Sequence, residues 1–387
     1  MSSELQPQAG GAGSPEVVHV VYGGMSGIRL VASGMTEGMR AYGFGSSIIL
    51  YQRDELSDAD LSAWDSAHSL HCVTKEPGLD LSGLKLIRGL IAQLRPRVVV
   101  FHTAVPAVLL TLTSPWRLGR RTRVLVNHSP RNVIRRSHKL FNLLSIFLMS
   151  AVVKVGPNSF PAADSLIGRA RSSKIHTIPN GIDVPDHPIY RGPPTDEDAF
   201  RVGMAGRMVP VKDFDTLIRA VHDFNSDPHS VARCQLVVAG TGPDAERICE
   251  LGARLLGSDF SFLGQLDQRD MPSFFSSIHA YVHSTLAESD VSTTVLQSLA
   301  LGLPTVVSAA PGIREILMEH DGDVARLFAP GRAQELTCIL RQIYEDPDHC
   351  RRLSANGRDF VVSQFSSEIM ARNYLSLFAS LDARFSA

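Results

Sequence analysis

The sequence predicts an α/β protein made of two doubly wound domains that face a cleft. Three observations predict it. The chain has 387 residues, enough for two domains of roughly 100–200 residues each. Short β-branched runs alternate with longer helical patterns along most of it, and that alternation builds parallel sheets covered on both faces. The alternation stops once, at "DVPDHPIYRGPPTDEDA" (183–199), which is rich in proline and charge like a linker, and then starts again.

Each element follows in chain order. Residues 1–15, "MSSELQPQAGGAGSP", read as a disordered tail, and the lack of a basic region followed by an apolar core predicts no signal peptide. The first domain, 16–183, has strand-like runs at 17–22, 46–51, 97–102, 123–128, 152–156 and 174–179. A linker at 184–199 leads to a second domain, 200–365, with runs at 200–206, 235–240, 260–264, 279–284 and 303–309. A last helix, 366–387, could pack against either domain, a return to the first among the options. The longest apolar stretch, "LFNLLSIFLMSAVV" (140–153), is broken by Asn142, Ser145 and Ser150. It is shorter than the ~20 residues that span a bilayer, and predicts a buried helix running into a strand.

Composition narrows the function. Charged residues make up 20% and the formal charge is −1, as in soluble globular enzymes. The five cysteines (Cys72, Cys234, Cys249, Cys338, Cys350) are scattered, with no CxxC pair. A disulfide framework or zinc site is therefore not expected, and a reducing, cytoplasmic compartment is. Between Leu84 and Lys174 there are sixteen lysines or arginines against one acid, Asp164. Such a segment could meet phosphates or an anionic membrane surface, or form a solvated face on ordinary helices.

In open α/β sheets ligands sit beyond the carboxyl ends of the strands, and three strand ends of the second half carry chemistry. "GRMVPVKDF" (206–214) offers a turn at Gly206, a planar fork at Arg207 and a compact charge at Lys212, both cations suited to a diphosphate. "GTGPDAE" (240–246) puts Gly240 and Gly242 at a second strand end as donor-binding candidates, where they bring the backbone near whatever occupies the crevice, though a tight turn explains them about as well. "ESDVSTTVLQSLALG" puts Ser292, Thr293 and Thr294 at the start of a helix. There they can cap it, or help its unpaired N–H groups bind phosphate. "IPNGID" (178–183) reads as a structural turn.

These pieces, with "APGIREIL", occur together in the order and spacing of one family. The chain resembles the retaining group 1 glycosyltransferases, which have the GT-B architecture of two Rossmann-like domains. The resemblance covers roughly residues 16–380 and is strongest in the second half. It implies that the second domain holds a nucleotide-sugar donor of the UDP or GDP type. Arg207 and Lys212 would meet its diphosphate, and the 292–294 backbone its distal phosphate. The family has two glutamates eight positions apart, one for the donor sugar and one for the ribose. Here Gln297 takes the second place, and Glu288 stands one residue too far upstream to be the exact counterpart of the first. Glu288 is expected to face the sugar, with Asp290 as its rival. In the first domain the resemblance implies that Gly23 and Gly24 of "VYGGMSG" approach the phosphates. It also puts His128 of "VNHSP" near the transferred sugar. His102, in "VVVFHTAVP", is a weaker candidate.

The mechanism so implied is retaining and metal-independent, moving a sugar to a hydroxyl acceptor, with no cofactor beyond the donor. The acceptor would be a carbohydrate or a polyprenyl-linked lipid in cell-surface polysaccharide or glycolipid assembly. The basic segment would then suit a peripheral place at the inner face of the membrane, and no nucleic acid is expected. Four DxD triplets (58–60, 196–198, 213–215, 346–348) would suit a metal-dependent transferase instead, but they fall mostly in polar loops. Two alternatives stay open: a nucleotide-sugar-binding partner without turnover, which Gln297 would suit, and a nucleotide-sugar epimerase. The spacing of "GGMSG" argues against a dinucleotide-dependent dehydrogenase.

Overall fold

The computed structural model describes residues 15–22, 27–52, 69–78, 80–113, 121–128, 136–190, 192, 199–228, 232–318 and 323–385. The chain divides into two compact units. One runs up to Asp183 and resumes at Phe365; the other is Val184–Gln364.

The first unit is built on seven parallel strands: β1 (Val17–Tyr22), β2 (Ser46–Gln52), β3 (Ser69–Thr74), β4 (Val98–Phe101), β5 (Thr122–Asn127), β6 (Ala151–Lys154) and β7 (Ile175–Thr177). Their order is β3-β2-β1-β4-β5-β6-β7. The second unit has six: β8 (Phe200–Ala205), β9 (Cys234–Ala239), β10 (Phe260–Phe262), β11 (Ala280–His283), β12 (Thr305–Ser308) and β13 (Arg326–Phe328), in the order β10-β9-β8-β11-β12-β13. In both sheets the first strand sits where the winding reverses, so it pairs on either side, β1 with β2 and β4, β8 with β9 and β11. That reversal opens a crevice at the strands' carboxyl ends, the place where doubly wound sheets take ligands.

Central strands are apolar throughout because both faces are covered: β1 is buried from Val17 to Val21, β4 over its whole length. Two strands were not expected from the sequence, β3 and β13, and both are sheet edges. "SLHCVT" and "RLF" carry polar or basic residues that an edge tolerates, and this hides the apolar signature of a strand. The 140–153 stretch does run from a helix, Arg136–Leu148, into β6, but the helix is only partly buried. Ile146 is inaccessible while Leu140 and Phe147 stand in solvent. Among the described residues, no helix is long and apolar enough to cross a membrane.

The last helix, Ser367–Leu381, packs on the first unit, where Met370, Tyr374 and Phe378 share a core with Val31, Met35 and Met39 of the Gly27–Ala41 helix. The two helices approach closely at Gly38, where a Cβ would fall 2.7 Å from the Ser367 carbonyl oxygen. Of the 184–199 stretch, the described part 184–190 is fastened to the second unit. The Ile189 N–H donates to the Leu301 carbonyl at 2.9 Å and the Arg358 guanidinium to the Asp186 carbonyl at 2.9 Å.

Candidate active site

In the second unit three loops gather at the carboxyl ends of β8, β9 and β11. The loop after β8 enters a short turn, Pro210–Lys212, and leaves it through Asp213, whose φ of 26° is uncommon for a residue with a side chain. Asp213 is held there by Thr216, whose hydroxyl donates to its carboxylate at 2.7 Å. This turn aims the Lys212 ammonium at Glu288, with which it forms an ion pair. The same Glu288 oxygen accepts from His283 Nε2 at 2.9 Å. The loop carrying Glu288 is fixed by Leu286 N–H donating to Val211 at 2.8 Å and Glu288 N–H donating to Pro311 at 3.2 Å.

The electrostatics follow from burial. Burial alone would raise the Glu288 carboxyl, but the Lys212 charge and the His283 hydrogen bond outweigh it and hold the group down to about 2. Burial pushes the His283 imidazole below its ordinary value, Lys212 adds to the effect, and Glu288 opposes it. A neutral His283 bonded to a carboxylate carries its proton on Nε2. Its Nδ1, and the hydroxyl of neighbouring Ser284, are buried without a hydrogen-bond partner among the described residues.

The helix Thr293–Ala300 starts beside this cluster. The expected hydroxyl cap is not formed: Ser292, at the N-cap, makes no side-chain bond to the first turn. Ser292 and Thr294 hydroxyls instead lie 3.1 Å apart, and Thr294 accepts from the Tyr281 hydroxyl at 2.8 Å. Those hydroxyls bond one another and leave the first-turn N–H groups uncapped by side chains. Tyr281 is also 3.1 Å from the Ala205 carbonyl, so one buried phenol ties the helix start to the end of β8. The Gln297 side chain is half-buried and makes no hydrogen bond among the described residues. Arg207 is exposed, with no ion pair among them. Asp290 is buried.

Gly240 and Gly242 face protein. A Cβ on Gly240 would lie 1.9 Å from the Gly206 carbonyl oxygen, and one on Gly242 2.1 Å from that of Met208. Their bareness lets the β8 and β9 loops cross, cemented by Met208 N–H donating to Thr241 at 2.8 Å. The described DxD triplets have protein partners: besides Asp213, Asp215 forms two hydrogen bonds with Arg247, at 2.8 and 2.9 Å, and Asp348 pairs with Arg351.

In the first unit, His128 follows β5 and its Nε2 lies 3.0 Å from His102 Nδ1, past the end of β4. Burial holds His128 down to about 4. Burial, then the neighbouring His128 and His19, hold His102 well below the usual histidine range. Gly23 and Gly24 lie outside the described residues. Sequence reasoning missed His283, Tyr281 and His19. Each sits inside an apolar run read only as a strand, and a polar ring buried in such a run was the available signal.

Two family models match, one after the other. "Glycosyltransferase Family 4" matches residues 25–185 and "Glycosyl transferases group 1" residues 189–360. A mannosyltransferase of Mycolicibacterium hassiacum, "MMP alpha-(1->4)-mannosyltransferase", is 27% identical over 59% of this chain and 54% of its own length. The Rhizobium meliloti "lipopolysaccharide core biosynthesis glycosyltransferase LpsD" is 31% identical over 48% of this chain and 50% of its own. The chain thus matches about half the length of these relatives. Among solved structures, Anabaena Alr3699/HepE in complex with UDP-glucose superposes with a TM-score of 0.75 at 18% identity, covering 94% of this chain and 99% of that one. A sucrose-phosphate synthase of Thermosynechococcus elongatus gives 0.72 at 16%, covering 96% and 100%. Two parallel sheets in Rossmann order, the charged cluster on the loops of β8 and β11 and these matches agree: the chain belongs to the group 1 family of glycosyltransferase enzymes, with the GT-B fold.

Proposed function

We propose that this protein transfers a sugar, with retention and without a metal, from a nucleoside-diphosphate donor to a hydroxyl acceptor in polysaccharide or glycolipid assembly. The observation that carries the reading is the Lys212–Glu288–His283 cluster beside an uncapped helix start. A cation and unpaired N–H groups at one crevice suit a leaving diphosphate, the charge that grows as the glycosidic bond breaks. In the step itself the acceptor oxygen bonds to the anomeric carbon and the bond from that carbon to the phosphate oxygen breaks. The acceptor's proton passes to a phosphate oxygen of the departing diphosphate, so no protein base is required.

Lys212 has two anionic claimants in this scheme. Without donor it pairs with Glu288. A bound diphosphate competes for it and frees the carboxylate to meet the donor sugar. Arg207, exposed and five positions before Lys212 in sequence, is assigned as a second cation, and Gln297 is assigned to the ribose hydroxyls as a neutral acceptor. His128 is assigned to the transferred sugar.

A panel of UDP-, GDP- and ADP-sugars tested for thermal stabilisation checks the donor assignment, because a ligand that binds only the folded state raises Tm by mass action. UDP-glucose and GDP-mannose go first. Among the relatives one is named as GDP-mannose-dependent, and a structural neighbour holds UDP-glucose. A shift with turnover is the expected result. A shift without turnover assigns the chain as a binding partner, and no shift with any donor removes the reading.

For the acceptor, one surface of the first unit favours a lipid-linked molecule. Leu140 and Phe147 of the Arg136–Leu148 helix and Leu166 of the Leu166–Ala170 helix are exposed, Leu166 at 80%. Lys139, Arg169 and Arg171 are exposed near them in sequence, and the Arg171 guanidinium lies 4.6 Å from the Phe147 ring. Apolar side chains among bases suit an anionic membrane surface. Binding to phosphatidylglycerol vesicles that falls as salt rises is the expected result, and binding indifferent to salt or absent points to a soluble acceptor.

A further inference from the structure

Three histidines on neighbouring strands of the first sheet form an unbroken hydrogen-bonded row. His19 lies in β1, His102 past the end of β4 and His128 past the end of β5. His19 Nδ1 is 3.3 Å from His102 Nε2, and His102 Nδ1 is 3.0 Å from His128 Nε2. His102 is therefore engaged through both ring nitrogens. The His102 and His128 ring planes lie within 11° of each other with centroids 5.3 Å apart, the side-by-side arrangement of an in-plane N–H···N bond. His19 and His102 are buried.

A neutral imidazole has one donor nitrogen and one acceptor nitrogen. Burial keeps His102 neutral, so it donates to one neighbour and accepts from the other. Suppose it donates from Nδ1. Then His128 accepts at Nε2 and keeps its own proton on Nδ1. His102 accepts at Nε2, so His19 donates from Nδ1. All three carry the proton on Nδ1. In the reverse case all three carry it on Nε2. No mixed arrangement preserves both hydrogen bonds. The row is one two-state element, in which His19 and His128 share a tautomer although they do not touch.

Among the described residues, His128 Nδ1 is buried and has no hydrogen-bond partner. It is the nitrogen left for a ligand, and the state of the row decides whether it offers an N–H or a lone pair. We propose that His102 and His19 are positioning residues that fix the ring plane and tautomer of His128, and so its hydrogen-bond preference toward a sugar hydroxyl. The proposal rests on the assignment of His128 to the transferred sugar.

Nitrogen-15 imidazole spectra of the full chain at pH 8 test the row directly. One tautomer shared by His19, His102 and His128 is expected; a mixed set overturns the proposal. His19→Gln removes a ring that does not touch His128. A changed His128 signal is expected, and an unchanged one overturns the coupling. Kinetics test its use. An asparagine amide falls near the Nδ1 position of a histidine and a glutamine amide near Nε2. His102→Asn therefore keeps a partner for His128 and is expected to stay within about fivefold of the parent kcat/KM. His102→Gln and His102→Phe are expected to lose about 10–100-fold, the scale for groups that orient a working histidine, with nucleoside-diphosphate affinity unchanged. Equal losses in all three variants, each checked to be folded by its melting curve, overturn the positioning role. His128→Ala separates the two layers. If it leaves turnover intact, the sugar assignment of His128 falls, and the positioning role falls with it. The shared tautomer still stands or falls on the spectra.

Discussion

At the carboxyl end of β11 the second unit sets a carboxylate between a lysine and a histidine. At the carboxyl ends of β4 and β5 the first unit sets neutral imidazoles against one another. Both are buried polar clusters at the reversal point of a doubly wound sheet, yet their electrostatics are opposite. A buried charge persists only if it is paired, so Glu288 needs Lys212, and in the proposed scheme a donor phosphate competes for that lysine. A neutral row needs no counter-charge but demands consistent proton positions. The first arrangement suits an anion that comes and goes; the second suits uncharged hydroxyls.

That contrast breaks first at Lys212. Lys212→Ala removes the cation proposed for the leaving group and strands a buried carboxylate. Turnover is expected to fall about 10²–10³-fold, the loss typical of removing one such stabilising group. Lys174→Ala is the comparison. Lys174 belongs to the first unit and donates to the Met149 carbonyl at 2.8 Å, and its removal is expected to change turnover by less than about twofold. Equal losses would show that Lys212 acts through general charge rather than through the cluster.

The two clusters should also separate by pH. His128 titrates at about 4 in the fold against 6.5 for a free imidazole. In that interval the unfolded chain binds more protons, so the stability His128 contributes is complete above 6.5 and is lost as pH falls toward 4. His102 is depressed in the same direction. Glu288 titrates at about 2 against 4.5, so its contribution is complete above 4.5 and is lost as pH falls toward 2. Each interval corresponds to at most ~3.5 kcal/mol. Lowering the pH from 7 to 5 is therefore expected to loosen the first unit, where His128 and His102 are both depressed, more than the second, where His283 is depressed but bonded to Glu288, which stays ionised. Hydrogen exchange, corrected for its intrinsic pH dependence, should show protection falling further in β1, β4 and β5 than in β8 and β11. A parallel decline would contradict the charge contrast.

The same contrast explains what could be read in advance. The second unit's chemistry is local in sequence: "GRMVPVKDF" and "ESDVSTTVLQ" each follow a strand and open a helix, so Lys212 and the helix start were legible from order, and Glu288 from the family resemblance. Their mutual contact was not, because an ion pair and an extended carboxylate role look alike in a string of letters. The glycines of "GTGP" could be read as a close approach to the donor or as a tight turn, and in the structure their bareness lets two loops cross. In the first unit the histidines are dispersed by 83 and 26 positions. Only the crossover from β1 to β4 brings them together, and His19 in "VVHVVY" carries no local mark of a partner. The edge strands β3 and β13 were missed for a related reason: their pairing depends on a neighbour, while their own residues are half polar.

The smallest expected effect concerns Gln297, where this chain departs from the family's glutamate. Its side chain has no hydrogen-bond partner among the described residues, so Gln297→Glu disturbs no protein contact and should shift Tm little. If the amide accepts from the ribose diol, a carboxylate would accept more strongly, by ~1 kcal/mol for a charge-assisted bond. That is about a fivefold gain in donor affinity. The gain should vanish with a 2′,3′-dideoxynucleotide, which lacks the diol while keeping the diphosphate that Lys212 is proposed to hold. A gain with both ligands would mean the new charge acts at a distance. No gain with either would mean that the extra residue between Glu288 and Gln297 has turned this position away from the ribose, leaving the Lys212 cluster as the main anchor of the donor.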